Sequence, residues 1–410
     1  MGAVLGPGER PADGLVGSGL QLESLRRRNA ASIADVILSR KQVSRAEIAT
    51  HLGLSQGAVT KITAELRRAG LIVEAQGASA DRDPGRPRVP VSVDRSTYRF
   101  AGVHLGLRRS AVGLIDLAGE LVVERVVERR SLDPAAVLRE AGELLRSAAD
   151  ADGGTVLGAG VCTGGWVDPD LGVVREHSVL GWHDVQLGKA VDWLNVPVVV
   201  DSSARAFALA HARLTVGNGS RNLLYLIVGN IVGAAQLVHG RVIGGRNSAA
   251  TTIDHLPVGP STGLRCSCGR RDCLWSLASD VAVVERARSA GLIGGSAQLE
   301  DVIGLAGESS ADGRRAARIL RDRARYAGTA VGLLLDLFAP DTVILDGGIL
   351  QTPQYLDTLC GAAAVRSSRY ADPSAHIVGS GLGAGGLVRG AAALALDRFY
   401  RDPLAAFATA

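Results

Sequence analysis

Cysteine is scarce in this chain of 410 residues: there are five, and an odd number leaves a disulfide framework incomplete. That usage fits a reducing, cytoplasmic setting. Aromatic residues make up only 4% of the chain, so its cores must be built from aliphatic side chains. Apolar runs such as Val331 to Leu335 and Pro197 to Val200 fall far short of the roughly 20 residues a membrane-spanning helix requires. The opening MGAVLGPGERPADGL lacks a basic start followed by an apolar stretch, so it does not read as a secretory signal. A disulfide-stapled secreted scaffold and a helical membrane protein are both excluded on this reading, and no membrane partner is expected.

Hydrophobic residues supply 47% of the chain and glycine 52 positions, which points to large cores joined by tight turns and to domains of roughly 100 to 200 residues each. The net charge of +4 is unevenly spread. Residues 20 to 90 hold twelve Lys and Arg against seven Asp and Glu, so any polyanionic partner belongs to that segment.

Residues 1–20, rich in Gly, Pro and Ala without periodicity, are predicted to be a disordered leader. Residues 21–95 form the next predicted unit. From about Leu25 a first helix of about three turns presents Ile33, Val36 and Ile37 on one face. Ser44 and Glu47 have capping-box spacing and open a second helix with Ile48, Ala49 and Leu52 inward, ended by Gly53. Ser55 caps a third helix in which Val59, Ile62 and Leu66 recur at helical spacing before Gly70. Two capped helices joined by GLS form a helix-turn-helix pattern, and LIVEAQ and RVPVSV, separated by the polar loop GASADRDPGRP, read as a wing.

In such an arrangement the later helix enters the major groove by its first turn. The candidate contacts are Ser55, Gln56, Gly57, Thr60 and Lys61: Gln56 can pair with adenine, and Ser55, Thr60 and Lys61 can reach phosphates or bases. Arg86 and Arg88 of the GRPR wing tip are candidates for a narrow, A·T-rich minor groove. The bland alternative is a protein-binding winged helix whose charges are a solvated face.

From residue 96 to 410 the pattern is α/β. FAGVHLGLRRSAVGLIDLAGELVVE and, about 120 residues later, NLLYLIVGNIVGAAQLVHGRVIGG each read strand, turn, strand, turn, strand, which suggests two similar lobes. Helices are predicted at Pro134 to Ala149, Ala204 to Leu214, Arg314 to Leu337 and Gly385 to Phe399. The lobes are placed at about 96–200 with the C-terminal helix, and about 201–385, with a cleft between them.

Three cysteines, Cys266, Cys268 and Cys273, fall within CSCGRRDC. They can hold one tetrahedral ion, with His255 eleven residues upstream as a fourth ligand, or two of them can form a disulfide. Cys162 and Cys360 read as small buried hydrophobes.

From about residue 25 to 400 the chain resembles the ROK family of repressors, uncharacterised open reading frames and sugar kinases. CSCGRRDC is similar to that family's C-x-C-G-x-x-G-C-x-E motif, DHLPV to its E-x-G-H segment, and PDTVILDGGIL (Pro340 to Leu350) to its stretch at the adenosine end of the nucleotide cleft. The resemblance implies a two-lobed, actin-like sugar-kinase fold behind a winged helix-turn-helix, assembled as a homodimer or homotetramer. It also implies a structural Zn2+ held by His255, Cys266, Cys268 and Cys273.

The departures bear on activity. Family kinases open with D-x-G-G-T, where this chain has His104, Leu105, Gly106, Leu107 and Arg108. Their catalytic base is the Asp of E-N-D-A-N, which aligns with Ser203, and serine cannot be that base near neutral pH. The second phosphate loop, G-T-G-I-G, is here Gly229, Asn230, Ile231, Val232 and Gly233. No catalytic residue is therefore assigned. Of the sugar-holding groups only His255 matches; the others are replaced by Ser202, Ser203, Thr252 and Trp275. Together with Arg205, which either pairs with Asp201 or binds an anion, these four are the candidate effector contacts.

The expectation is a transcriptional repressor of carbohydrate metabolism that binds double-stranded DNA at an inverted repeat with A·T-rich flanks. Either a small-molecule effector closes the cleft, or the cleft has lost its sugar and the protein is effector-independent or answers to a non-sugar metabolite or a protein. The rival of another class is an ATP-dependent sugar kinase.

Overall fold

The computed structural model describes residues 17–74, 89–215, 222–245, 248–259 and 263–407. The chain divides into two compact units, Met1–Asp94 with Arg398–Ala410, and Arg95–Asp397.

The first unit contains α1 (Gly17–Arg40), β1 (Val43–Ser44), α2 (Arg45–Leu52), α3 (Gln56–Arg68), β2 (Ile72–Glu74) and β3 (Pro90–Val93). The strands form an antiparallel sheet in the order β1-β3-β2. Its core is aliphatic: Ile33, Ile37, Ile48, Val59, Leu66 and Val91 are fully buried. The capping box at α2 is complete, with Ser44 Oγ accepting from Glu47 N at 3.3 Å and Glu47 Oε2 accepting from Ser44 N at 2.8 Å. Gly53 ends α2 in the left-handed region at φ 65°, a conformation that a side chain would strain.

Two expectations change here. The first helix begins at Gly17, so Gly17–Leu20 are helical while 1–16 of the expected leader lie outside the described residues. The run LESLRRRNA has good helix formers without an apolar stripe, so propensity rather than amphipathicity extends the helix. Arg398–Ala410, placed by sequence in the α/β region, joins the first unit, where Arg27 Nη1 donates to Asp402 Oδ2 at 3.3 Å.

In the second unit β4 (Tyr98–Leu105), β5 (Arg109–Asp116) and β6 (Leu121–Glu128) are followed by α4 (Pro134–Asp152), β7 (Thr155–Thr163), a small meander of β8 (Trp166–Asp168), β9 (Val173–His177) and β10 (Trp182–Gln186), then β11 (Val198–Ser202) and α5 (Ser203–Leu214). The plan returns as β12 (Leu223–Val228), β13 (Val232–Val238) and β14 (Arg241–Val242), followed by α6 (Leu274–Ala278), α7 (Asp280–Ser289), α8 (Leu299–Ala306), α9 (Ala311–Phe338), β15 (Thr342–Asp346), α10 (Leu356–Arg366), β16 (Ile377–Gly379) and α11 (Gly386–Tyr400). The two five-stranded sheets, β6-β5-β4-β7-β11 and β14-β13-β12-β15-β16, have the same order: third, second, first, fourth and fifth strand. The internal repeat read from the sequence is thus an architectural one.

Along β12 the alternation is strict: Leu224, Leu226 and Val228 enter one core and Leu223, Tyr225 and Ile227 another, so this strand is buried on both faces. Helix α11 lies directly on β4 and β7. A Cβ at Gly102 would collide with the Val388 carbonyl and one at Gly160 with the Ala391 carbonyl, so only glycine permits this approach. No helix among the described residues is long and apolar enough to cross a membrane.

Candidate functional sites

Helix α3 buries Val59, Ile62, Thr63 and Leu66. The opposite face presents all five expected contacts on this helix: Ser55, Gln56, Gly57, Thr60 and Lys61 are exposed. Ser55 Oγ is occupied as the cap, accepting from Ala58 N at 3.2 Å, which leaves its O–H free to donate. Arg86 and Arg88 lie outside the described residues.

The second cluster is His255, Cys266, Cys268 and Cys273, whose ligand atoms all lie within 4.8 Å of one another. Cys268 Sγ and Cys273 Sγ are 3.7 Å apart, near the ~3.8 Å edge of a tetrahedron with ~2.3 Å bonds and far beyond a disulfide. All five cysteines are free. His255 turns Nδ1 toward Cys266 Sγ at 3.4 Å and Nε2 toward Asp254 Oδ2 at 3.3 Å, so one ring nitrogen faces the thiols while a carboxylate orients the other. The loop is preformed by backbone bonds: Cys266 N donates to Arg270 O at 2.8 Å, and Asp272 carboxylate oxygens accept from Gly263 N and Leu264 N at 3.3 and 3.2 Å. This donor set fits a metal ion.

Beside it lies a cleft of about 280 Å3 lined by Ser202, Ser203, Arg205, Thr252 and Trp275, all five of the candidate effector residues. Of the two roles expected for Arg205, the structure shows the pairing with Asp201: Arg205 is buried and donates to Asp201, to Ser248 O at 2.6 Å and to Val167 O at 2.8 Å. Ser202 Oγ caps α5 by accepting from Arg205 N at 3.4 Å, and Thr252 Oγ1 donates to Ala249 O at 2.9 Å. Ser203, at the start of α5, is fully buried. Trp275 packs against the second lobe's core while lining the cleft.

Three titratable residues of the lining were missed by sequence reasoning: Glu176 and His177 from β9, and Asp254. Asp254 has no counterpart in the family motif to mark it, and the short, charged strands of the meander carry too little periodicity to be read. Burial pushes the His177 imidazole down to about 4, with the Arg129 charge adding to it, and burial raises the Asp254 carboxyl.

A larger cavity of about 1190 Å3 shares Gly164, His177, Ser203 and Ile231 with this cleft. It takes in His104, Arg108, Gly229, Asn230, Gly347 and Gly348. These are the segments in which the chain departs from, or keeps, the phosphate and adenosine motifs of sugar kinases.

Two α/β lobes of matching strand order with a Cys3His cluster beside the cleft define a sugar-kinase-like architecture. Residues 100–398 match the ROK family, and the chain belongs to it. It is 31% identical over 405 residues to a protein of Mycobacterium tuberculosis named as a transcriptional regulator, spanning 92% of this chain and 87% of that one. A solved structure described as a ROK family transcriptional regulator, a homolog of the E. coli MLC protein, superposes with a TM-score of 0.76 at 23% identity, covering 93% of this chain and 98% of the other. The ROK hexokinase of Thermus thermophilus superposes with a TM-score of 0.58 at 26% identity, covering 72% and 97%.

Proposed function

We propose that the protein is a DNA-binding transcriptional repressor: a winged helix-turn-helix at residues 21–95, and from residue 96 a two-lobed ROK domain that has lost its kinase chemistry. The observation that carries the reading is the outward first turn of α3. Gln56 and Lys61 are exposed, and among the described residues their side chains have no hydrogen-bond or ion-pair partner, so both remain available to a duplex. The neighbouring antiparallel β2–β3 pair is where a wing's strands would lie, and the relative named as a transcriptional regulator, matched over 92% of this chain, supports the same reading.

His255, Cys266, Cys268 and Cys273 would hold a structural Zn2+, which when bound closes the loop between Asp254 and Leu274 with no open coordination position for water. Ser203 replaces the carboxylate that would accept a sugar proton, so the protein is not an enzyme. One observation disfavours an anionic effector at Arg205: its guanidinium is already committed to Asp201, Val167 O and Ser248 O. Ser202, whose capping oxygen only accepts, and Ser203, whose buried Oγ has no hydrogen-bond partner among the described residues, remain with Glu176 and Asp254 for any effector. A repressor of this kind works in the cytoplasm.

The test is selection of bound fragments from the source genome, then anisotropy titration of the best fragment. Lys61→Ala is expected to weaken binding on all fragments and to flatten the salt dependence by about one phosphate contact, whereas Gln56→Ala costs about 1–3 kcal/mol at one base pair. Absence of any salt-sensitive binding, or ATP consumption in the presence of glucose, N-acetylglucosamine or xylose, overturns the reading.

A further inference from the structure

The cysteine cluster is sealed on one side and open on the other. Cys266 and Cys273 are buried, whereas Cys268 is exposed to solvent. Cys268 Sγ and Cys273 Sγ stand 3.7 Å apart, so closing them to the ~2.05 Å of a disulfide takes a movement of about 1.7 Å. Cys273 is anchored: it bridges to Pro257, and the next residue donates from Leu274 N to Leu256 O at 2.8 Å. The movement therefore falls to Cys268, at the loose end of the pair. A Cβ built on Gly269, its neighbour, would meet nothing within 4 Å, so the tip of the loop has room for it.

The surroundings of Cys268 suit an attacking sulfur. Arg265, Arg270 and Arg271 are all exposed on the same loop. The Arg270 peptide N–H and guanidinium lie beside the Cys268 sulfur. Arg271 is turned to Gly263 O at 2.6 Å, and among the described residues no carboxylate forms an ion pair with Arg265 or Arg270. An exposed thiolate in an electropositive setting is the reactive kind, and a guanidinium beside it stabilises the charge that builds on a departing oxygen. The other two cysteines lack this setting. Cys162 is fully buried, Cys360 is half-buried on α10, and neither belongs to the cluster.

We infer that Cys268 and Cys273 are an oxidant-reactive pair, which a hydroperoxide converts to a disulfide, releasing any metal ion that the loop holds. Cys268 attacks as the thiolate on one peroxide oxygen; the O–O bond breaks, a sulfenic acid forms, and the other oxygen leaves as hydroxide or alkoxide and takes up a proton. The Cys273 thiolate then attacks the sulfenic sulfur, the S–S bond forms, and hydroxide leaves and is protonated to water. Two thiolates have lost two electrons and the hydroperoxide has gained them. Only His255 and Cys266 are left as donors, two short of a closed zinc site. The release of metal rests on the zinc reading proposed above; the formation of the bond does not.

The full chain, purified reduced and assayed for zinc by elemental analysis, is treated with a few equivalents of hydrogen peroxide. Free zinc is followed with a chromophoric chelator, and the thiols by alkylation and peptide mapping. A Cys268–Cys273 linked peptide is expected to grow in step with free zinc, about one ion for every two thiols lost, and dithiothreitol with added zinc is expected to reverse both. Arg270→Glu, at an exposed position that leaves all four ligands in place, is expected to slow the reaction several-fold with zinc content unchanged. Cys360→Ser is expected to react at the parent rate. Thiols that survive peroxide, a link between any other pair, oxidation to sulfinic or sulfonic acid without a link, or an unchanged rate in Arg270→Glu overturns the proposal. A chain that holds no zinc and still forms the link supports the pair and removes the zinc reading instead.

Discussion

His104 sits on β4 with Phe207 tilted against it, ring centroids 5.5 Å apart, and is almost wholly buried. Burial, reinforced by the charges of Arg109 and Arg129, pushes its pKa down from 6.5 to about 4, and His177 is likewise lowered to about 4. In the unfolded chain both imidazoles take up a proton as pH falls below about 6.5, while the folded ones stay neutral to about pH 4. A lowered folded pKa contributes stability above the unfolded value and loses it as pH falls toward the folded one. The stake is about 3 kcal/mol for each residue as an upper figure. Urea melts of the parent are therefore expected to lose stability between about pH 6.5 and pH 4. His104→Gln, which cannot take up that proton, is expected to show a shallower loss over the same window. Parallel profiles would show that His104 is not the group being titrated.

The loop carrying Cys266, Cys268 and Cys273 shows how a short element gets its shape. Gly269 at φ 83° and Asp272 at φ 57° turn the chain tightly enough to bring Cys273 back to Cys268, and Pro257 forms an isolated antiparallel bridge with Cys273. Cys268 is the exposed ligand of the four, so Cys268→Ser removes a metal bond without opening a core. If the site holds the proposed zinc, the variant is expected to contain none by elemental analysis and to be destabilised by several kcal/mol in thermal melts. Unchanged zinc content would dispose of the site. The three clustered cysteines, the capped helices α2 and α3, and the repeated strand–turn–strand plan were readable because each rests on local signals such as cap residues, glycine turns and close cysteine spacing, whereas the place of His255, eleven residues upstream, came from the family resemblance. Local signals run out elsewhere. The acceptors that occupy Arg205, Val167 O and Ser248 O, lie 38 and 43 residues away and are backbone atoms that no residue type advertises. Asp402 meets Arg27 across 375 residues, so nothing near either one marks the C-terminal segment as part of the first unit.

Among the described residues the proposed regulator has one candidate recognition helix, α3, of thirteen residues, and one such helix reads only a few base pairs. Specific occupancy of a chromosomal site by the proposed regulator then requires two copies, and two identical copies related by a two-fold axis read an inverted repeat. The half-sites must present their major grooves to the same face of the duplex, so their centres are expected about 10 base pairs apart or a multiple of that. Inserting about 5 base pairs between them turns one half-site to the opposite face, and inserting about 10 restores it. Anisotropy titrations on the selected operator and these two insertions are expected to show a loss on the order of 100-fold for the shorter one and partial recovery for the longer, the loss corresponding to about 3 kcal/mol of contacts from the second head. Sedimentation of the free protein at the same concentrations checks that it is at least dimeric. Equal affinity for all three duplexes would mean that each copy binds alone, and the two-fold arrangement would have to be abandoned while the grip of α3 on a single half-site could stand.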